Sequence, residues 1–176
     1  MRKFSVTFLI ISAMVVAYSF RYVPAKQVKV NWQTTDSVSA KWQEMKKPIL
    51  VDIYTDWCHY CKVMDNTTYS NDSVAAYINQ NFYSAKVNAE SKTPFNWMGK
   101  VYNYIPKYKV NQLAIELTKG NMVYPSTIII PPTGEPQVIG GAISKNEMEM
   151  ILKYFGGDNY GKKDWSEFVK DFKSNW

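Results

Sequence analysis

Two cysteines, Cys58 and Cys61, are the residues whose spacing points most directly to chemistry. They are the only cysteines of the 176-residue chain, and they lie in the segment WCHYCK at 57–62. A disulfide that closes so small a ring restricts the unfolded chain only modestly, so a structural role explains the spacing poorly. The spacing therefore predicts a thiol-disulfide redox centre.

The role of each cysteine at such a centre depends on where a helix begins. The segment from Cys58 to about Asn66 lacks Gly and Pro, which favours a helix that starts at or near Cys58. Unpaired N–H groups and the positive helix end would stabilise a thiolate there. We expect an exposed Cys58 to attack a substrate disulfide, and Cys61, deeper in the helix, to resolve the mixed disulfide.

Zinc binding is the other common use of this cysteine spacing, and it requires roughly four nitrogen or sulfur ligands. The chain has no third cysteine, and its single histidine, His59, lies between the two cysteines. His59 would point away from a site built on the two sulfurs. We therefore expect no metal and no cofactor besides the redox-active pair itself.

The N-terminus has the layout of an export signal. Arg2 and Lys3 precede an apolar stretch at 4–17, and small residues follow where a signal peptidase reads the chain. We predict a signal peptide at 1–19, a linker at 20–27 and a periplasmic or secreted protein. Retention as a membrane anchor is the alternative, although the stretch is shorter than the roughly 20 residues of a spanning helix.

Length and composition indicate one folded domain, which we place at 28–157. Hydrophobic residues make up 46% of the chain and charged residues 20%, as in globular proteins. The formal charge is +6, but the lysines occur as singles and pairs without a long basic run. This pattern disfavours nucleic acid as a partner, and we expect a monomer that meets other proteins.

Strands and helices around the cysteines follow from hydrophobic patterns. Ile49–Tyr54 is an apolar run rich in β-branched residues, typical of a strand buried on both faces. After the cysteine helix, a second helix fits Asp72–Asn81 with Asp72 as its cap, and Tyr83–Asn88 is the next strand. This order predicts a βαβ unit with parallel strands.

Weaker patterns flank this unit on the N-terminal side. Alternating apolar residues at 28–32 predict a short strand, and Asp36 can cap a helix that runs to about Lys47. The aromatic-rich region at about 90–119 is read as an insertion that ends in a helix.

The C-terminal half continues with a hairpin and two helices. Strands are predicted at Thr127–Ile130 and Gln137–Ile139, joined by a Pro-Pro-Thr-Gly turn. Ser144 and Glu147 form a capping-box pattern that opens a helix through Phe155. An extension at 158–176 carries apolar residues at helical spacing, and we expect its helix to pack on the outside of the domain.

Four segments in order resemble thioredoxin, and the resemblance spans about 47–155. They are the strand at 49–52, the cysteine motif, the stretch from Gly120 to the Pro-Ser-Thr-Ile at 125–128, and Gly-Ala-Ile-Ser-Lys at 141–145. The resemblance implies a thioredoxin-like α/β fold. In that fold helices flank a central mixed sheet of four to five strands, here with an insertion before the cis-proline strand and an extra C-terminal helix.

The resemblance also implies roles for single residues. Asp52 matches the family's buried acid near the resolving cysteine, and Lys86 matches the lysine that pairs with this acid. Pro125 matches the cis-proline, which would leave the backbone of Tyr124 free to pair with an extended substrate segment. Trp57 matches the family's tryptophan and would shape the rim of the site.

The chain departs from thioredoxin between the cysteines, where His59 and Tyr60 replace Gly-Pro. These two residues are candidates for tuning the redox potential, since a charged histidine would stabilise the thiolate. The signal and the extra helix are similar to exported relatives such as the periplasmic thiol domain of bacterial transmembrane disulfide reductases.

The expected function is a protein-disulfide oxidoreductase, acting as a reductase or electron relay. Its expected partners are protein or peptide disulfides and a redox partner protein that could be membrane-bound. A disulfide oxidase or isomerase is the first alternative. A thioredoxin-like binding module with a passive disulfide is the second.

Overall fold

The computed structural model describes residues 27–157 and 159–176. The predicted signal peptide at 1–19 and the predicted linker up to residue 26 lie outside the described residues. Within the described part, none of the helices combines the length and the apolar character that crossing a membrane requires.

The described residues form a mixed α/β fold. The helices are α1 (Thr35–Glu44), α2 (His59–Met64), α3 (Asp72–Asn81), α4 (Gln112–Thr118), α5 (Lys145–Gly156) and α6 (Trp165–Asp171). The strands are β1 (Ile49–Tyr54), β2 (Tyr83–Asn88), β3 (Phe95–Trp97), β4 (Lys100–Tyr102), β5 (Tyr104–Ile105), β6 (Val110–Asn111), β7 (Ser126–Ile130) and β8 (Gln137–Gly140). A π-helical turn, Asp65–Tyr69, directly continues α2.

The central sheet has four strands in the order β2-β1-β7-β8, which confirms the predicted fold class. Strand β1 pairs in parallel with β2 and antiparallel with β7, and β8 returns from β7 as a hairpin. The parallel pair and its helical crossover confirm the predicted βαβ unit. Because β1 has a neighbour on each side and helices on each face, every residue of it except Tyr54 is buried.

Alternate residues of β1 face two separate apolar clusters. Ile49, Val51 and Ile53 belong to a cluster that includes residues of α1, α4 and the insertion. Leu50 belongs to a second cluster, built mainly from α3 and α5. Since side chains alternate along a strand, Asp52 shares the face of Leu50. The sequence thus places one carboxyl group inside an apolar layer.

The segment before α1 differs from the prediction. Residues 28–32 do not form a strand, and only Gln33 makes an isolated parallel bridge to Ala85. The backbone of Asn31 bonds instead to side chains, since its N–H donates to Asn79 and its carbonyl accepts from Ser84. Side-chain partners therefore replace the ladder that the alternating pattern had suggested.

Two predicted helix caps are also wrong, each by one or two residues. The N-cap of α1 is Thr34 and not Asp36, and the helix ends at Glu44 rather than near Lys47. The N-cap of α3 is Asn71, whose side chain accepts from two backbone N–H groups. Asp72 instead accepts a hydrogen bond from the N–H of Val28, so its carboxylate ties the N-terminal segment to α3.

The insertion is tied to the core by a buried asparagine. It contains the hairpin β3–β4, the short pair β5–β6 and α4. Asn111 caps α4, its N–H donates to the carbonyl of Ala89 at 2.7 Å, and its side chain reaches the carbonyl of Ser91 at 3.2 Å. The start of the insertion and its helix are thereby held together.

The C-terminal helices pack as predicted. The capping box of Ser144 and Glu147 is present at the start of α5. In α6 the side chain of Phe168 is buried in the cluster of Leu50, with its ring 5.2 Å from that of Tyr154. Glu149, fully buried in α5, accepts hydrogen bonds from the backbone N–H groups of Asn175 and Trp176 and holds the end of the chain against the domain.

Candidate functional site

The two cysteines lie at the start of α2, directly after the turn that follows β1. A short turn follows β1, in which the N–H of Cys58 donates to the carbonyl of Thr55 at 3.2 Å, and Cys58 then caps α2. Cys58 and Cys61 form a disulfide, and the N–H of Cys61 donates to Sγ of Cys58 at 3.1 Å. The sulfur of Cys58 therefore lies at the N-terminus of α2, the position at which a helix stabilises a thiolate.

The expected difference in exposure between the two cysteines is wrong. Cys58 and Cys61 are each only 4% exposed. The sulfur of Cys58 is held at the helix start by the disulfide and by the hydrogen bond from the N–H of Cys61. A partner must therefore reach a small sulfur surface between larger neighbours.

Those neighbours are aromatic. Trp57 and Tyr60 are each 65% exposed, and the ring of Tyr60 touches that of His59, which is also exposed. The indole N–H of Trp57 donates to Glu90 at 3.0 Å, and its ring meets Tyr124 edge-on with 6.0 Å between centroids. The rim of the site thus connects the cysteine motif to Glu90 at the start of the insertion and to Tyr124 just before β7.

The segment before β7 completes this rim. The Tyr124–Pro125 peptide bond is cis. Pro125 is buried and Tyr124 is half-buried, and burial together with the charge of Glu90 raises the pKa of Tyr124. The ring contact with Trp57 brings Tyr124 and Pro125 beside the cysteine motif, where the resemblance expected them.

Asp52 is a buried acid in the middle of β1. Its side chain is 2% exposed, and its Oδ2 lies 3.3 Å from Nζ of Lys86 on the adjacent position of β2. Burial raises its pKa from 3.8 to about 6, although the charge of Lys86 opposes this rise and that of Asp65 adds to it. Near neutral pH the Asp52 carboxyl can therefore both take and give a proton.

The ammonium of Lys86 has a second carboxylate partner that sequence reasoning missed. Its Nζ donates to both oxygens of Asp65, at 2.6 and 2.7 Å. Burial opposes the charge of Lys86, but Asp52 and Asp65 together outweigh burial and raise its pKa. The available signal was spacing, because Asp65 follows Cys61 by four residues, and a continuing helix places both on one face.

Tyr69 is a further residue near Asp52 that the sequence did not single out. It is buried, and its hydroxyl lies 3.5 Å from that of Thr127 on β7. Burial, with the nearby charge of Asp52, raises its pKa well above 10, so the phenol stays neutral. Tyr69 ends the π-helical turn that continues α2, which links Asp52 to the helix that carries Cys61.

The arrangement can move electrons and protons without a metal. Among the described residues no group of three or more His, Cys, Asp and Glu side chains could hold a metal ion. The disulfide can accept two electrons and two protons to become a dithiol, the dithiol can release them again, and the Asp52 carboxyl can take or give one of the protons.

The four-stranded sheet and the Cys-x-x-Cys disulfide at a helix start define a thioredoxin-like protein of the thiol-disulfide oxidoreductase class. The family model described as "Thioredox_DsbH: Protein of unknown function, DUF255" matches residues 17–156. The chain belongs to this family, and its predicted thioredoxin-like membership is thereby confirmed.

Individual relatives are distant. The chain is 24% identical over 101 residues to the uncharacterized protein B0495.5 of Caenorhabditis elegans, covering 57% of this chain and 12% of that protein. A thioredoxin-fold protein from Helicobacter pylori aligns with a TM-score of 0.55 at 14% identity, over 85% of this chain and 89% of the other. A putative disulphide-isomerase from Bacteroides thetaiotaomicron aligns with a TM-score of 0.51 at 20% identity, over 76% and 98%. These structures share the fold.

The raised pKa of Asp52 predicts a stability effect that depends on pH. The folded state binds the proton up to about pH 6, whereas the unfolded state releases it near 3.8. Wild type therefore loses stability as pH rises through this window, by about 3 kcal/mol. Asp52→Asn, which carries no charge, should match wild type near pH 3.5 and exceed it by about that amount at pH 7.5.

Urea unfolding of the oxidised proteins at the two pH values measures this difference. Asp56→Asn, which removes an exposed carboxylate on the turn after β1, is the matched control and should follow the wild-type pH dependence. An Asp52→Asn difference that is the same at both pH values would show that burial does not perturb Asp52.

Proposed function

We propose that this chain is an exported thiol-disulfide oxidoreductase that passes electrons to the disulfides of other proteins, as a reductase or an electron relay. The observation that carries the proposal is the Cys58–Cys61 disulfide on a helix N-terminus, coupled through α2 to a buried acid that titrates near neutral pH. A passive disulfide would need no such acid.

The reaction begins from the reduced pair. The Cys58 thiolate, stabilised by the N-terminus of α2, attacks one sulfur of the substrate disulfide. The substrate S–S bond breaks, its other sulfur leaves as a thiolate that takes a proton from water, and a mixed disulfide with Cys58 forms. The N–H of Cys61, which donates to the Cys58 sulfur in the oxidised state, is placed to stabilise the same sulfur as a thiolate.

The second step belongs to Cys61 and Asp52. The Cys61 thiol gives its proton to the Asp52 carboxylate and attacks the sulfur of Cys58. The mixed disulfide breaks, the substrate leaves as its second thiolate, and the Cys58–Cys61 disulfide forms. Two electrons have then passed from the pair to the substrate. The charge of Lys86 stabilises the ionised Asp52 carboxylate inside the sheet until the carboxylate accepts the proton.

The rim suits an extended protein segment. Trp57 and Tyr60 are exposed aromatic side chains next to the cysteines in the chain, and the ring of Tyr124 contacts that of Trp57. Aromatic rings supply large contact area at small entropic cost. The backbone of Tyr124 would pair with the substrate chain beside Cys58, while the neighbouring Pro125 stays buried.

Net oxidation or isomerisation is the competing direction, and His59 is the residue that favours it. His59 is exposed next to Cys58, so a charged imidazole there would stabilise the thiolate and make the pair more oxidising. The reductase direction is preferred because both sulfurs are buried, and burial disfavours the charged thiolate of the reduced pair, which makes the pair less oxidising.

Export is part of the proposal and rests on the N-terminal sequence. A periplasmic or secreted location would bring the pair to protein disulfides and to a redox partner, and the partner could be membrane-bound. We expect a monomer whose mature chain begins after Ser19. Cell fractionation with N-terminal sequencing checks this, and a protein found in the cytoplasm with residues 1–19 intact would contradict export.

Insulin reduction with dithiothreitol tests the chemistry. Wild type should speed the precipitation of insulin, whereas Cys58→Ser should run at the rate of dithiothreitol alone, because the attacking sulfur is gone. Cys61→Ser, first reduced and then mixed with insulin after the dithiothreitol is removed, should accumulate a mixed disulfide that gel electrophoresis without reductant detects. Thr67→Ser, an exposed change on the same helical segment, is the control and should keep wild-type activity. Equal rates for Cys58→Ser and wild type would favour the binding module.

A further inference from the structure

The ammonium group of Lys86 lies closer to one of its two carboxylate partners than to the other. Nζ lies 2.6 and 2.7 Å from the two oxygens of Asp65 but 3.3 Å from the nearer oxygen of Asp52. The side chain of Asp65 is 39% exposed and that of Asp52 is 2% exposed. The closest contacts of the cation thus go to the carboxylate that needs them less, since water already solvates Asp65.

Asp52 therefore has fewer hydrogen-bond donors than a buried carboxylate normally has. Its Oδ1 is buried and has no hydrogen-bond partner within the described residues. A buried carboxylate normally fills its lone pairs with donors, and an orphaned oxygen favours the protonated form. The geometry therefore keeps the Asp52 carboxyl from being locked as a fully paired anion.

A cleft opens to solvent on the side of Asp65. Its volume is about 440 Å³, and its lining includes Trp32, Asp65, Tyr69 and Lys86. Neither cysteine is among the described residues that line it. The ammonium of Lys86 also lies 4.8 Å from the ring centre of Tyr54 and 5.6 Å from that of Trp32, contacts that hold it at the cleft. Solvent thus reaches Lys86 and Asp65 away from the substrate rim.

We propose that Asp65 is a positioning residue of the redox centre, which holds the ammonium of Lys86 at the cleft so that the Asp52 carboxyl stays free to accept and release the proton of Cys61. The inference rests on the proposed thiol-disulfide exchange and adds a third charged residue to its machinery. The proton accepted by Asp52 then has a way out past Lys86 and Asp65 into the cleft that opens to solvent.

The charges around Asp52 support this positioning role for Asp65. Lys86 faces it from β2, and Asp65 and Tyr69 face it from the π-helical turn. Thr127 on β7 adds only a hydroxyl, which lies next to Tyr69. Tyr69 remains neutral, so within the described part of the chain Lys86 and Asp65 are the two charges that act on the Asp52 carboxyl. Removing Asp65 should both delete a repelling charge and let Lys86 turn fully to Asp52.

Carbon-detected NMR titration of the Asp52 carboxyl in the oxidised protein tests the positioning directly. In Asp65→Asn the midpoint should fall by about one pH unit, as expected when a carboxylate gains a close cation and loses a like charge. Asp65→Glu keeps the charge and should restore the wild-type midpoint. Asp36→Asn, an exposed change on α1, should also match wild type. Asp65→Ser should repeat the fall if Asp65→Asn does not fold.

The pH profile of disulfide exchange tests the link to the reaction. In Asp65→Asn the acid limb of the rate of Cys61 attack should move to lower pH by the same amount as the Asp52 midpoint. An unchanged midpoint would overturn the proposal, and so would a moved midpoint with an unmoved limb. Because the titration needs no turnover, a protein that shows the midpoint shift but reduces no disulfide contradicts the proposed function instead.

Discussion

The contact between Lys86 and Asp52 is the constraint on which the rest of the site depends. A carboxyl group inside the central strand of a sheet is costly to charge, and the parallel register that sets Asp52 beside Lys86 supplies the neighbouring cation. That register requires the βαβ crossover, and the crossover begins with the turn that presents Cys58. One pairing of strands therefore fixes both the acid and the start of the redox helix.

The central elements could be predicted because their signals are local and strong. The apolar run Ile49–Tyr54, the capping box at Ser144 and the strand Tyr83–Asn88 each match the structure closely. The alternating pattern at 28–32 failed because side chains of Asn79 and Ser84 took the bonds of its backbone. Such competition depends on residues far along the chain, so a local pattern does not reveal it.

The site was predicted only as far as the resemblance to thioredoxin extends. Asp52 and Lys86 were found because both occupy matching positions in strands. Asp65 was missed although its spacing of four residues from Cys61 on a continuing helix was available as a signal. Tyr69 was missed because α2 continues as a π-helical turn, and the change of helical pitch decides which side chains face the sheet. The burial of Cys58 was missed because exposure depends on side chains packed around the sulfur, which the local spacing of the cysteines does not reveal.

The central claim is that Cys58 and Cys61 form a working two-electron couple rather than a passive disulfide. Equilibration of the protein with glutathione buffers, followed by thiol trapping and mass spectrometry, tests it most directly. The account predicts one reversible two-electron transition with a potential between about −200 and about −270 mV, within the range of reducing thiol proteins. A pair that stays oxidised across all buffers would contradict the claim, and a potential near about −120 mV, that of a strong oxidant, would contradict the reductase direction.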